Sequence, residues 1–233
     1  MTGKLYGVGV GPGDPELMTV KAWRLVATAK VIAYLAANGR DSTARDIAKP
    51  FIAEDAEHLV IDMPMHVERA PGEAAYDKGA AEIAIHLREG RDVVMLCEGD
   101  PFFYGSFMYL FARLAKDFDT VVVPGVTSIT ASAAAIGRPL AARDEVLKVL
   151  PATLDTDRLR DELMTAPSAA IIKVGRHFKK VRDILGALDL ITRAVVIEKA
   201  THQDQRITRV EDVSGDTLPY FSTILVYAGS EPW

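Results

Sequence analysis

Strand-length apolar runs alternate with helix-period segments through the first half of this chain, and that alternation limits the fold more than any other feature. The runs fall at 4–10, 30–35, 57–61, 92–97 and 119–123, with helical segments near 15–28, 41–50, 72–89, 104–116 and 127–137. Strands in β-α-β-α order are joined by crossovers, which build a mostly parallel sheet covered on both faces. The polar, Gly- and Pro-containing segment IGRPLAARDE (136–145) reads as a hinge. Beyond it, strand and helix patterns alternate at 146–150, 157–165, 169–174, 177–188 and 194–199. Two β-rich runs, QRITRVEDV and FSTILVYAG, then follow with no helix between them. The expected fold class is therefore α/β in two domains, 1–140 with a mostly parallel sheet and 141–233 with a mixed one. The cleft between two such domains is the default ligand site.

Bulk properties remove several function classes. A hydrophobic content of 49% and a charged content of 25% are ordinary for a globular chain. No apolar run approaches the roughly 18 to 20 residues that span a bilayer, and the N-terminus enters a strand pattern without a signal-peptide core, so a cytoplasmic location is expected. The net charge of −5 and the lack of a Lys/Arg cluster argue against a nucleic-acid surface. One cysteine, Cys97, excludes an internal disulfide and a cysteine-based metal cluster, and its apolar setting in DVVMLCEGD suits a buried, inert thiol. No metal site is expected.

The segment YGVGVGPGDPEL (6–17) is rich enough in glycine to suggest a dinucleotide loop. Such a loop works by pointing backbone N–H groups and a helix N-terminus at an anion. Here Pro12 has no N–H, and Asp14, Pro15 and Glu16 fit the cap and first positions of the next helix, so carboxylates already occupy the anion position. VIAYLAANG (31–39) also lacks the acidic residue that would hold a ribose. A loop of this kind admits a flat, neutral or cationic ligand close to the backbone.

CEGDPFFYGS (97–106) repeats the Gly-Asp-Pro of residues 13–15 after another strand. Shared helix-start chemistry accounts for either copy alone; two copies at carboxyl ends of parallel strands stand where open α/β sheets hold ligands. The third stretch, VVVPGVTSITASAAAIGRPL (121–140), ends a strand at Pro124-Gly125 and opens a small-residue helix with Thr127 and Ser128 in its first turn. Such a helix packs closely against a sheet. Capping accounts for one of its hydroxyls and leaves the other for a carboxylate or ribose.

Each histidine needs weighing as an acid/base group. His58 beside a strand and His86 on a helix read as structural. His66, in the irregular DMPMHVERAP, is a candidate for substrate contact. His177 groups with Arg176, Lys179 and Lys180 at a helix start, an unfavourable place for cations on dipole grounds, which leaves a solvated face or a carboxylate-binding cluster. Metalloprotease and Ser/His/Asp spacings are absent.

VGVGPGDPELMTVKA, EGDPFFYGS and PGVTSITASAAAIGRPLA together closely resemble the tetrapyrrole (precorrin) methylases, S-adenosylmethionine-dependent enzymes that include most methyltransferases of cobalamin biosynthesis. MPM (63–65), IKVGRHFKKVRDIL (172–185), EKATHQDQRI (198–207) and PYFSTILV (219–226) carry the likeness through nearly the whole chain, and are most similar to members acting on C20 of precorrin-2. The resemblance implies two α/β domains with the cofactor in the cleft between them, a homodimer, and a glycine-rich loop that does not work in Rossmann fashion. Carried over by motif, the cofactor contacts are Pro12, Glu98, Gly99, Asp100, Phe103, Thr127 and Ser128, with Lys173, Ala200 and Thr223 from the second domain. The implied reaction moves the sulfonium methyl to the C20 meso carbon, giving precorrin-3A and S-adenosylhomocysteine. Alignment and exclusion of water are the main requirements. Asp100, Tyr104 and His66 are the candidates for the proton that leaves afterwards. Arg138, Arg143, Arg176 and His177 are candidate partners for the substrate carboxylates.

Competing expectations are methylation of cobalt-factor II on the anaerobic route, an RNA methylase, a non-catalytic tetrapyrrole carrier and, from another class, a NAD-binding oxidoreductase.

Overall fold

The computed structural model describes residues 1–37, 42–64 and 69–229. Two compact units divide it, Met1–Thr127 and Ser128–Trp233. The division precedes the 140/141 boundary expected from composition, because the small-residue helix is counted with the second unit.

In the first unit the chain runs β1 (Leu5–Gly9), α1 (Val20–Thr28), β2 (Val31–Ala37), α2 (Thr43–Ala48), β3 (Glu57–Met63), α3 (Arg69–Arg88), β4 (Val93–Cys97), α4 (Phe107–Leu114) and β5 (Thr120–Val123). The strands form one parallel sheet in the order β3-β2-β4-β1-β5. Both faces are covered, as the βαβ pattern requires. Val8, Val10, Ile32 and Leu96 pack on α1 and α2, while Leu5, Ala33, Met95 and Cys97 pack on α3 and α4. Successive residues of one strand thus feed opposite cores. On the α4 face a Cβ at Gly7 would strike the Phe107 ring, so this glycine lets the helix approach the central strand.

The helix expected over 15–28 is interrupted. A 3₁₀ turn spans Pro15–Leu17 with Asp14 as its cap, Met18 is extended, and Thr19 caps α1 afresh by accepting the Ala22 N–H at 3.1 Å. Two capping side chains five residues apart give two starts.

The second unit holds α5 (Ser128–Ala135), β6 (Leu147–Pro151), α6 (Thr156–Met164), β7 (Ser168–Ile172), α7 (Phe178–Ala187), β8 (Ala194–Glu198), β9 (Arg206–Arg209) and β10 (Ser222–Tyr227). Its sheet order is β6-β7-β10-β8-β9. β6 is parallel to β7, β10 runs antiparallel to both β7 and β8, and β9 is antiparallel to β8. The sheet is mixed, as expected. One face packs on α6 and α7 through Leu159, Leu163, Phe178 and Val181, and α5 lies against β10.

The segment expected as a hinge is tied to this sheet at several points. Tyr227 donates its hydroxyl to Glu145 Oε1 at 2.7 Å, Glu145 Oε2 accepts the Ala142 N–H at 3.0 Å, and Ser168 Oγ donates to the Leu140 carbonyl. Arg138 stands over the Tyr227 ring at 5.6 Å.

Candidate active site

β1, β4 and β5 are neighbours and parallel, so the turns that follow them leave one edge of the first sheet. Gly99 N–H donates to Gly11 O at 2.8 Å and Gly11 N–H to Gly99 O at 3.4 Å, joining the first two turns. Gly11 and Gly99 have φ of +82° and +63°, a region that glycine enters without penalty. A Cβ on Gly9 would lie 2.6 Å from Gly99 O and 2.7 Å from Gly125 Cα, and one on Gly125 would collide with the same carbonyl. Three backbones meet here in a space no side chain can share.

Asp100 closes the junction. Its Oδ1 accepts the N–H groups of Phe102 at 2.9 Å and Phe103 at 3.1 Å, and its Oδ2 accepts Gly125 N–H at 3.0 Å. The expectation that Asp100 caps a helix with Pro101 at its first position is corrected: its Oδ1 caps a turn, not a helix. Residues 101–105 form a compact turn with Tyr104 at φ 56°, and α4 begins only at Phe107, after Ser106. Asp14 does cap, accepting Glu16 N–H at 2.9 Å.

The N–H groups of Val10, Gly11, Gly99, Phe102, Phe103 and Gly125 all go to protein acceptors, and Pro12 has none to give. Those six groups are therefore not turned outward to a pyrophosphate. The junction's second turn carries the carboxylates of Glu98 and Asp100. Glu98 is exposed to solvent, yet the protein crowded around its carboxyl raises its pKa by desolvation; N–H groups of Glu98 itself and of Ala44, the latter at 3.3 Å, oppose the rise. Burial pushes the Cys97 thiol well above its ordinary value, with the Glu98 charge adding to the effect, so it stays protonated and inert, as expected. Phe103 is half-buried and meets the exposed Tyr104 edge to face at 5.3 Å. Thr127 and Ser128, both half-buried, follow the Gly125 turn. His66 lies outside the described residues.

In the second unit, register decides which candidates meet. Ser222 pairs with Glu198 and Ile224 with Ile171, so the carboxyl ends of β7 and β8 and the start of β10 share one end of the sheet. Lys173 follows β7 with φ 56°. Ala200 follows β8, buried between Lys199 at φ 48° and Thr201 at φ 67°, and Thr223 is buried one residue into β10. Lys173, Lys199 and Thr201, three left-handed non-glycine residues, stand at one sheet end, each conformation costing on the order of 1–3 kcal/mol.

Arg176 and His177 sit in the Gly175–His177 turn at the same end, with Arg176 Nε 3.4 Å from His177 Nε2. Desolvation, then the charges of Lys180 and Arg176, lower the His177 pKa, which favours the neutral imidazole. Lys179 is engaged with Asp183 at 2.7 Å and Lys180 with the Leu154 carbonyl. Arg138 and Arg143 are not brought to this end. Tyr227, beneath Arg138, pairs with Ser168 at the start of β7, and Arg143 lies in the turn that Glu145 closes beside it. Burial lowers the Arg138 pKa.

Sequence reasoning passed over two features of this end. His202 Nε2 is buried with no hydrogen-bond partner among the described residues. Tyr220 and Phe221 are exposed aromatics just ahead of β10, signalled in sequence only by two adjacent rings after Pro219. No group of three His, Cys, Asp or Glu suited to a metal occurs among the described residues, and no helix there is long and apolar enough to cross a membrane.

Comparison with known proteins places this arrangement. The family model for Tetrapyrrole (Corrin/Porphyrin) Methylases matches residues 4–212. The cobalamin biosynthesis protein CobIJ of Mycobacterium tuberculosis is 43% identical over 97% of the chain, which covers 46% of that relative; the chain thus spans about half the length of the first curated relatives it matches. Precorrin-2 C(20)-methyltransferase of Sinorhizobium sp. is 39% identical over 96% of the chain and 95% of its own length. The crystal structure of uroporphyrin-III C-methyltransferase from Thermus thermophilus, complexed with S-adenosylhomocysteine, superposes with a TM-score of 0.72 at 25% identity, covering 97% of the chain and 98% of that structure. On sequence, topology and the three-turn junction together, the chain belongs to the tetrapyrrole methylase family.

Proposed function

We propose that this chain transfers the methyl group of S-adenosylmethionine to C20 of precorrin-2 in cobalamin biosynthesis, giving precorrin-3A. The near full-length likeness to the Sinorhizobium precorrin-2 C(20)-methyltransferase carries the proposal. The residues present suit the cofactor. Six N–H groups of the junction are bonded to protein acceptors, and Glu98 and Asp100 lie in its second turn, which favours a sulfonium over a pyrophosphate. A NAD-binding role is disfavoured on the same grounds.

Pro12, Glu98, Gly99, Asp100, Phe103, Thr127 and Ser128 of the first unit, with Lys173, Ala200 and Thr223 of the second, would hold the cofactor. When bound, it supplies an electrophilic methyl that passes to the electron-rich C20, the S–CH₃ bond breaking as the C–CH₃ bond forms and S-adenosylhomocysteine remaining. Asp100 acts as a positioning residue, fixing the Phe103 and Gly125 turns through its three N–H bonds. Glu98 contributes negative charge, and Phe103 sheds water. His66 is proposed to receive the C20 proton, with Tyr104 able only to relay it, donating its own phenolic proton as it accepts. Arg176, with neutral His177 as a donor, takes substrate carboxylates. The family resemblance extends the proposal to a homodimer.

The test is incubation with labelled S-adenosylmethionine and either metal-free precorrin-2 or its cobalt complex, with mass detection of a 20-methylated product. Preference for the metal-free substrate is expected; strong preference for the cobalt complex would replace it with the anaerobic reaction. A melting temperature raised by S-adenosylhomocysteine and unmoved by NADH checks the cofactor.

A further inference from the structure

Tyr220 and Phe221 stand at the end of the second sheet that carries Lys173, Arg176 and Ala200, and no role described so far uses them. Tyr220 is 69% exposed and Phe221 39%, and their rings meet edge to face at 4.9 Å. The backbone beneath them is held firmly. Phe221 O accepts the Lys199 N–H at 2.7 Å, Ser222 Oγ donates to Pro219 O at 2.8 Å, and Leu218 N–H reaches Gly175 O at 3.0 Å. Those bonds strap 218–222 across the sheet end, from the turn after β7 to the turn after β8. Two aromatic faces are thus displayed to water on a fixed support that is bonded to the Gly175–His177 turn, which carries the exposed Arg176.

An aromatic platform rimmed by cationic charge matches a flat, conjugated, carboxylate-bearing ring. The macrocycle of a tetrapyrrole has that chemistry. S-adenosylmethionine matches it less well, since its own positive charge opposes the rim and it brings a single carboxylate. We infer that Tyr220, backed by Phe221, stacks on the face of the tetrapyrrole substrate while Arg176 takes one of its carboxylates. The inference rests on the function proposed above and assigns that reaction a further substrate-positioning residue.

The experiment titrates the purified chain with uroporphyrin III, a stable polycarboxylate macrocycle, following the shift of its main absorption band. Calorimetry with S-adenosylhomocysteine and the precorrin-2 KM and kcat are measured alongside, for the parent, Tyr220→Ala and Tyr220→Phe, each checked for an unchanged melting temperature. Tyr220→Ala is expected to weaken porphyrin binding and raise the precorrin-2 KM about tenfold, the scale of one lost stack, with kcat kept. Tyr220→Phe restores both, and S-adenosylhomocysteine binds all three alike. Equal porphyrin binding by the parent and Tyr220→Ala overturns the inference while leaving the function standing, and selective loss of S-adenosylhomocysteine binding assigns the ring to adenine instead. A parent chain that neither binds the porphyrin nor methylates precorrin-2 removes the function itself, and the inference with it.

Discussion

The N–H of Gly125 donates to Oδ2 of Asp100 at 3.0 Å across a separation of 25 residues, while the other oxygen of the same carboxylate holds Phe102 and Phe103. One side chain therefore joins the turns after β4 and β5. Asp100→Ala leaves three N–H groups without an acceptor and is expected to destabilise the first unit by about 2 kcal/mol, more than the ~1 kcal/mol of a simple cap. Asn, whose Oδ1 can still accept from Phe102 and Phe103, is expected to lose about half as much. Urea titration followed by circular dichroism measures both; an Ala variant as stable as the parent would remove the junction role.

Gly9 and Gly125 face backbone in the same junction. Alanine at either position must push a neighbouring strand end aside, and a loss of about 3 kcal/mol or more is expected, on the scale of an overpacked core. Gly186 in α7 is the contrast, since a Cβ there meets nothing within 4 Å. Gly186→Ala is expected to gain about 0.5–1 kcal/mol by reducing the freedom of the unfolded chain. Thermal unfolding of the three variants checks the opposite signs.

Lys173 sits at φ 56°, where an L side chain is strained. Lys173→Gly is expected to raise stability by about 1 kcal/mol while weakening S-adenosylhomocysteine binding, because a proposed cofactor contact and a fixed backbone are lost together. Paired calorimetry and melting measurements would count against this role for Lys173 if affinity and stability rise together.

Glu98 supplies a pH signature. Its folded pKa lies above the ordinary 4.5 through desolvation, so the folded chain holds this proton more tightly than the unfolded chain does. The favourable contribution is complete below about 4.5 and is lost as pH rises through the raised value. Glu98→Gln keeps an acceptor for the Ala44 N–H and has no charge to desolvate. The variant is expected to melt above the parent at pH 7 and to converge with it in acid. A constant difference across pH would show that the carboxyl titrates normally.

How much of this was legible in the sequence depends on the range of the interaction concerned. The alternation that places Val8 and Val10 on one core and Leu5 on the other is a property of neighbouring residues, and so is the Asp14 cap two residues from its donor. The GPGDP and EGDP repeats mark the two turns that Gly11 and Gly99 join, for the same reason. They could not show that Asp100 serves Gly125 in place of a helix, since that bond exists only once β1 lies between β4 and β5.

Strand order, register and the partners of each turn belong to the tertiary structure. Register in the second sheet gathers Lys173, Ala200, Thr223 and Arg176 at one end and leaves Arg138 and Arg143 with Tyr227 at the other, although all of them sit in equally suggestive motifs. The chain by itself determined its elements, their two-face burial and its family likeness, because those follow from local period, capping and residue type. Which candidates stand together was decided by hydrogen bonds and packing between distant segments, whose geometry no short stretch of sequence contains.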